Sequence, residues 1–224
     1  MQIKYLAHSS FLVTTEAGTR ILFDPYEPGG YDGALRYGAI AEPATVVVTS
    51  HDHPDHGHTA GLPGNPDVIS GLKLAQSGPR TVADVSLRAV HTYHDQSQGK
   101  ERGENAMVVL EADGLCLCHA GDLGHTLTPF QGQEVGPIDV LLLPVGGYFT
   151  IDAAEATQVR DRLEPRITVP MHYKTPKVDF PIASVEGFLA GKANVRRPGT
   201  SELRLASPAD LPATPEIVVL EPAL

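Results

Sequence analysis

The chain has 224 residues, enough to bury a sizeable core, and its 42% hydrophobic and 20% charged content is that of a globular protein rather than a disordered one. With 17 Lys and Arg against 27 Asp and Glu, the formal net charge is −10, and the densest basic cluster is the pair Arg196–Arg197, so no nucleic-acid partner is expected. No run approaches the roughly 18 apolar residues of a membrane span, and MQIKYLAHSSFLV at the N-terminus lacks the basic, apolar and small-residue regions of a secretory leader; a cytoplasmic protein is expected.

The predicted elements open with strands. QIKYLAH (2–8), SFLVTT (10–15) and RILFD (20–24) are joined by short turns, which predicts an antiparallel start. YEPGGYDGALRYG (26–38) is glycine-rich and reads as a loop. ATVVVTS (44–50) is a short β-branched run, hence a buried strand. A short helix near LKLAQS (72–77) precedes the strand VSLRAV (85–90). NAMVVLEA (105–112) and LCLCHA (115–120) meet at Asp113–Gly114, a hairpin signal. IDVLLLPV (138–145) is another buried strand. DAAEATQVRDRLE (152–164) predicts a helix capped by Asp152 with Glu155 three residues on, its buried face carrying Ala156, Val159 and Leu163. RITVPMH (166–172) returns as a strand, SVEGFLAG (184–191) as a helix, and ELRLA (202–206) and EIVVL (216–220) as strands. Strands first, with helices spaced between later ones, predict one α/β (α+β) domain of two packed sheets with helices outside.

Cys116 and Cys118 lie two apart on a predicted strand, poor geometry for a disulfide, and read as buried thiols. The chemistry concentrates in TSHDHPDHGH (49–58), which holds four of the ten histidines in the order H-x-H-x-D-H. In extended chain, side chains two apart point the same way, so His51 and His53 can grip one ion, while Asp55 and His56 turn toward a second position. Imidazole and carboxylate suit zinc, and manganese and iron accept the same donors. One loop cannot complete two sites, so further ligands must come from later strand ends.

Three segments qualify, and with them the chain resembles the metallo-β-lactamase-fold hydrolases, most closely the branch of small enzymes that includes L-ascorbate-6-phosphate lactonase. YLAHSSFLV, ILFDPY, HDHPDH, TYHD, CHAGDLGH, LLLPVGGYFTID and VPMHYKTP occur in that family's order across nearly the whole chain. The resemblance implies a four-layer αββα sandwich and two divalent ions, zinc in the first place. It implies His51, His53 and His94 on one ion, Asp55, His56 and His172 on the other, and Asp122 bridging them. HTYHD also offers His91, but an aromatic residue followed by histidine matches the family pattern at Tyr93–His94.

The implied reaction is hydrolysis of an ester-like bond, lactone or phosphoester, in a small molecule by a metal-bridging hydroxide, with Asp55 orienting the nucleophile. His8 matches a recurring position near the metals, as substrate contact or proton donor. Asp24 matches an aspartate that orients a ligand histidine; its alternative is turn initiation before Pro25. His119 is a candidate for the same supporting shell, whereas His58 and His125 remain unassigned. In GGYFT, Gly147 and Tyr148 offer backbone N–H groups to a substrate, or Gly146–Gly147 simply makes a tight turn. Arg102 can clamp a carboxylate or phosphate, or be a solvated loop charge. Self-association is compatible with the resemblance. The rival functions are an iron-dependent redox or persulfide-handling enzyme on the same fold, and a non-catalytic metal-stabilised module. Iron redox relatives tend to carry a carboxylate where His53 stands, and structural zinc sites are closed and cysteine-rich.

Overall fold

A computed structural model describes residues 1–224. Its first sheet is built from β1 (Gln2–Ala7), β2 (Ser10–Thr14), β3 (Arg20–Phe23), β4 (Val46–Thr49) and β5 (Asp67–Ser70), closed at its other edge by β13 (Glu202–Arg204), in the order β13-β1-β2-β3-β4-β5. The second contains β6 (Arg80–Val82), β7 (Val85–Tyr93), β8 (Glu104–Ala112), β9 (Leu115–His119), β10 (Val140–Pro144), β11 (Ile167–Met171), β12 (Val195–Arg196) and β14 (Glu216–Val218), in the order β12-β14-β11-β10-β9-β8-β7-β6. Both sheets are mixed. The β1–β2–β3 and β6–β7–β8–β9 stretches are antiparallel, and β3–β4–β5 and β9–β10–β11–β14–β12 are parallel. β4, β10 and β11 are buried at every residue, as strands covered on both faces must be.

Alternate residues of both sheets, among them Tyr5, Phe11, Phe23, Val48, Leu110, Leu142 and Val169, interlock into the central core. The outer face of the second sheet packs against α3 (Pro129–Val135), α4 (Ala153–Leu163) and α5 (Glu186–Leu189). The outer layer on the first sheet is thinner. Tyr26, Leu35, Tyr37, Ile40, Val178, Phe180 and Ile182 cover it from irregular segments around the single turn α1 (Gly30–Gly33). The remaining helix, α2 (Gly71–Ser77), packs against β7 and β8.

The predicted strands all form, and the β8–β9 hairpin turns at Asp113 and Gly114, both at positive φ. α4 carries the expected cap: Asp152 accepts from the Ala154 and Glu155 N–H groups, Glu155 reaches back to Asp152, and Ala156, Val159 and Leu163 are the buried residues. Three strands and two helices were not anticipated, the single turn α1 falling in the segment read as a loop. β5, β6 and β12 are two to four residues long and mostly exposed, so they carry no hydrophobic pattern. α3 has a readable signal, Thr128 and Gln131 forming a capping box with Pro129 in its first turn.

The two sheets are stitched together at one edge. Ala106 of β8 donates its N–H to Ser50 O beyond β4 (3.2 Å), His172 beyond β11 donates its N–H to His8 O in the β1–β2 turn (3.0 Å), and His119 Nε2 reaches Ser9 O (2.8 Å). Every one of these contacts involves a histidine or the serine preceding one. Removing the α4 cap by Asp152→Ala should leave this edge intact and cost about 1 kcal/mol, a fall of roughly 2–4 °C in the thermal midpoint with no change in metal binding; calorimetry with and without added metal checks both.

Candidate metal centre

Four strand ends and one turn converge on that edge. The loop after β4 supplies His51, His53, Asp55 and His56, the end of β7 His94, the turn after β9 Asp122, the end of β11 His172, and the β1–β2 turn His8. Their donor atoms gather in two groups, each with all atoms within 4.8 Å of one another: His51, His53 and His94 in one, and His8, Asp55, His56 and His172 in the other. A third grouping, His51, His56 and Asp122, links them. Asp122 touches both sides: Oδ2 lies 3.0 Å from His94 Nε2 and 3.4 Å from His172 Nε2, and Oδ1 lies 3.1 Å from His56 Nε2. His56 Nε2 and Asp122 Oδ1 are not aligned as a hydrogen bond; both are buried atoms without a partner.

The local backbone is forced into place. His8, Asp24 and His172 all have positive φ (55°, 42° and 50°), a conformation that costs a side-chain-bearing residue energy and is concentrated at functional sites. Close approach is equally demanding. A Cβ on Gly124 would fall 2.2 Å from the carbonyl carbon of His94, and one on Gly146 would fall 2.2 Å from His172 O. Gly146 therefore has a steric reason, and Gly147 donates its N–H to Ile151 O. The paired glycines make a tight turn, and the Gly147 N–H is not free for a substrate. Tyr148 is exposed and faces the neighbouring groove beside Gln96 and Thr150 instead of the histidine cluster.

Asp24 is fully buried and organises both groups. It accepts from the Ser50 N–H (2.7 Å), the Ser50 hydroxyl (2.6 Å) and His56 Nδ1 (2.8 Å). A serine has one hydroxyl proton, and Asp24 takes it, so the 2.9 Å contact between Ser50 Oγ and His51 Nδ1 must be donated by His51. Both His51 and His56 thus carry a proton on Nδ1, leaving Nε2 of a neutral ring as a bare lone pair facing the cluster. This is the tautomer a metal ligand needs. His119 is fixed the other way: Nε2 donates to Ser9 O and Nδ1 accepts from the Gly121 N–H, so it braces the turn leading to Asp122 and binds no ion. Asn105, unassigned from sequence, holds the same turn by accepting the Asp122 N–H and donating to Ala120 O.

The electrostatics favour cations. Asp24, Asp55 and Asp122 are buried together, and no lysine or arginine is buried anywhere in the protein. Uncompensated buried carboxylates are costly unless paired or coordinated. Burial and the neighbouring His56 push His51 down to about 3, and burial with His172 pushes His8 down to about 4. Burial also works against the charged form of His56, but Asp122, Asp55 and Asp24 outweigh it and raise its pKa. Asp122 goes the opposite way to burial, lowered by His172, His56 and His94. The donor set, imidazole nitrogens and carboxylate oxygens, fits a pair of divalent ions of the zinc, manganese or iron type.

A cavity of about 410 Å³ opens onto the cluster, lined by His53, Asp55, His94, Asp122 and His172 with Tyr31, Phe149 and Phe180 as apolar wall and Arg102 at the mouth. Larger depressions, about 730 and 670 Å³, lie beside Arg160 and Lys192 and beside Arg88, but neither gathers buried donors, so size does not mark the site. Arg102 is placed by Asp95, whose carboxylate accepts the N–H groups of Ser97, Gly99, Glu101 and Arg102. Its guanidinium lies 5.9 Å from the centre of the Phe149 ring. His91 turns away to Glu104 (3.0 Å), leaving His94 in the cluster. His8 is 1% exposed and sits behind Asp55, its Nε2 3.2 Å from Oδ2; it does not line the cavity, which corrects its expected contact with substrate. His125 accepts the Tyr93 N–H.

Two packed mixed sheets with a histidine–aspartate cluster at their shared edge are the architecture of a metallo-β-lactamase fold. Residues 2–172 match the family model of the beta-lactamase superfamily domain. A UPF0173 metal-dependent hydrolase of Pyrococcus horikoshii is 31% identical, over 92% of this chain and 100% of its own. A Thermotoga maritima structure, inferred to be a zinc-dependent hydrolase of the metallo-β-lactamase superfamily, is 34% identical with a TM-score of 0.77, covering 98% of both chains. A metallo hydrolase of Ignicoccus hospitalis shares the fold, at 21% identity and a TM-score of 0.63, over 99% of this chain and 95% of that one. The chain belongs to the metallo-β-lactamase superfamily, and within it groups with the UPF0173 proteins.

Two outcomes test this reading of the cluster. Asp24→Ala removes the acceptor shared by Ser50 and His56 and should weaken metal binding about 10–100-fold, measured by competition with a chelator. In the metal-free protein, folded His8 and His51 refuse protons that the unfolded chain takes up below its ordinary histidine pKa. Stability should therefore fall as pH drops from about 6.5 toward 4, by up to about 3 kcal/mol for each group; denaturant midpoints that stay flat over that window would contradict the assignment.

Proposed function

We propose that the protein is a two-metal hydrolase of a small molecule, cleaving an ester-like bond of the lactone or phosphoester type. The observation that carries this reading is the set of buried carboxylates without a buried lysine or arginine, ringed by imidazoles whose nitrogens gather in groups with all donor atoms within 4.8 Å of one another. His51, His53 and His94 would hold one ion, Asp55, His56 and His172 the other, with Asp122 shared. Zinc is the first choice of metal, in keeping with the name given to the Thermotoga maritima relative. When bound, such ions supply Lewis acidity and bring the pKa of a coordinated water from about 15.7 toward roughly 7.

The chain's own residues supply the rest. Asp122 lies between the two groups, Oδ2 near both His94 and His172 and Oδ1 near His56, so one carboxylate serves both halves of the cluster. Asp55 is a carboxylate at the cavity floor, held ionised by His56 and His8 against the effect of burial, and so is available there as a charged ligand or hydrogen-bond acceptor. Phe149 and Phe180 keep water from one side, and Arg102 offers a planar two-donor fork to a carboxylate or phosphate at the mouth. The cavity volume suits a small molecule. The net charge of −10 disfavours a nucleic-acid substrate, and the free thiols of Cys116 and Cys118 fit a cytoplasmic location. No helix is long and apolar enough to cross a membrane.

Purified protein loaded with zinc or manganese should carry two ions per chain, and Asp122→Ala should lose at least one of them together with hydrolysis of model lactones or phosphodiesters, by about 100-fold or more. One ion per chain unaffected by the mutation, or iron as the sole metal retained with no hydrolysis, would overturn this reading. Arg102→Met should raise KM for anionic substrates about tenfold and leave neutral esters unchanged.

A further inference from the structure

Tyr31 has figured so far only as cavity wall, yet its placement is costly. It stands in the turn Gly29–Gly33 at φ 54°, ψ 54°, and Asp32 follows at φ 55°, ψ 35°. Two consecutive left-handed residues with side chains are an unfavourable backbone arrangement. Burial does not compensate, because Tyr31 is 45% exposed. Its contacts instead point into the site. The hydroxyl lies 2.9 Å from Asp55 Oδ1, and the ring meets Phe180 edge-on with centres 5.3 Å apart. A carboxylate can only accept, so Tyr31 donates. The other oxygen, Asp55 Oδ2, faces the cluster, 3.2 Å from His8 Nε2 and 3.7 Å from His56 Nε2. Tyr31 therefore occupies the outer oxygen and leaves the inner one to the donor group.

We propose that Tyr31 is a positioning residue that holds Asp55 as a one-oxygen ligand, so that metal binding in the His8, Asp55, His56 and His172 group is coupled to the conformation of the glycine-framed turn forming the cavity wall. This rests on the two-metal reading. Asp24 plays the equivalent part for His56 from inside the protein; Tyr31 acts from the solvent side, on the glycine-framed turn. By linkage, an ion in that group stabilises the strained turn, and the turn strengthens that group's hold on its ion by the same factor. The hydroxyl alone separates this role from packing, because phenylalanine keeps the ring against Phe180.

The test uses the full metal-free chain and cobalt(II) alone, titrated by calorimetry and by visible absorption. The wild type should take up two ions in resolvable steps, and the step missing in His172→Ala belongs to the Asp55 group. Tyr31→Phe should weaken that step about 10–100-fold and leave the other within about twofold. Tyr31→Gly should show the same selective loss while the metal-free thermal midpoint is not lowered, since glycine accepts the left-handed turn without strain. Unchanged affinities in Tyr31→Phe, or an equal weakening of both steps with a lowered midpoint, would overturn the inference while leaving the two-metal reading standing. A wild type that binds fewer than two ions would overturn the two-metal reading and this inference with it.

Discussion

The architecture of this protein turns on placing three carboxylates inside it without a lysine or arginine to neutralise them. Asp24, Asp55 and Asp122 lie at the edge where two sheets meet, and the groups around them are imidazoles, a serine, a tyrosine and backbone N–H donors. Such a concentration of negative charge is unstable in a dry interior unless cations join it. The same backbone hydrogen bonds that stitch the sheets together start from the residues bearing these groups. Fold and site therefore share one set of interactions: the sheets cannot be aligned at this edge without assembling the cluster.

Two layers of control follow. Asp24 decides which ring nitrogen of His51 and His56 carries a proton, one through Ser50 and one directly, so a single buried carboxylate orients a histidine in each half of the cluster. The backbone then fixes where the rings sit, through positive φ at His8 and His172 and through contacts that only glycine permits at Gly124 and Gly146. Strain of this kind persists because the surrounding sheets over-determine it. The cavity side is looser. Its wall comes from irregular segments at 26–40 and 178–182, which form the thin outer layer of the first sheet, and only Tyr31 among them hydrogen-bonds a carboxylate of the cluster.

Much of this was legible in the sequence, for stated reasons. The H-x-H-x-D-H order is local, and its two-residue spacing after a buried β-branched run implies convergent side chains whatever the rest of the fold. Asp122 and His172 follow apolar strands, and the resemblance in motif order assigned them. The α4 cap and its buried face needed only the helical period. The short edge strands were hidden because pairing, not composition, makes them strands. Tyr31, Ser50, Asn105 and Asp95 were hidden for a related reason: each acts through a hydrogen bond formed by residues that the fold, and no local pattern, brings together. His8 was visible as a candidate but not its place behind Asp55.

The sequence by itself determined the strand-rich α/β class, the position of the histidine-rich loop and the net acidic character, because periodicity, short-range spacing and charge are properties of neighbours along the chain. Only the tertiary structure decided between His91 and His94, turned the Gly147 N–H to Ile151, fixed the tautomers of His51 and His56 and brought Tyr31 onto Asp55. Those outcomes depend on distances between atoms tens of residues apart, which are set when the two sheets close on each other.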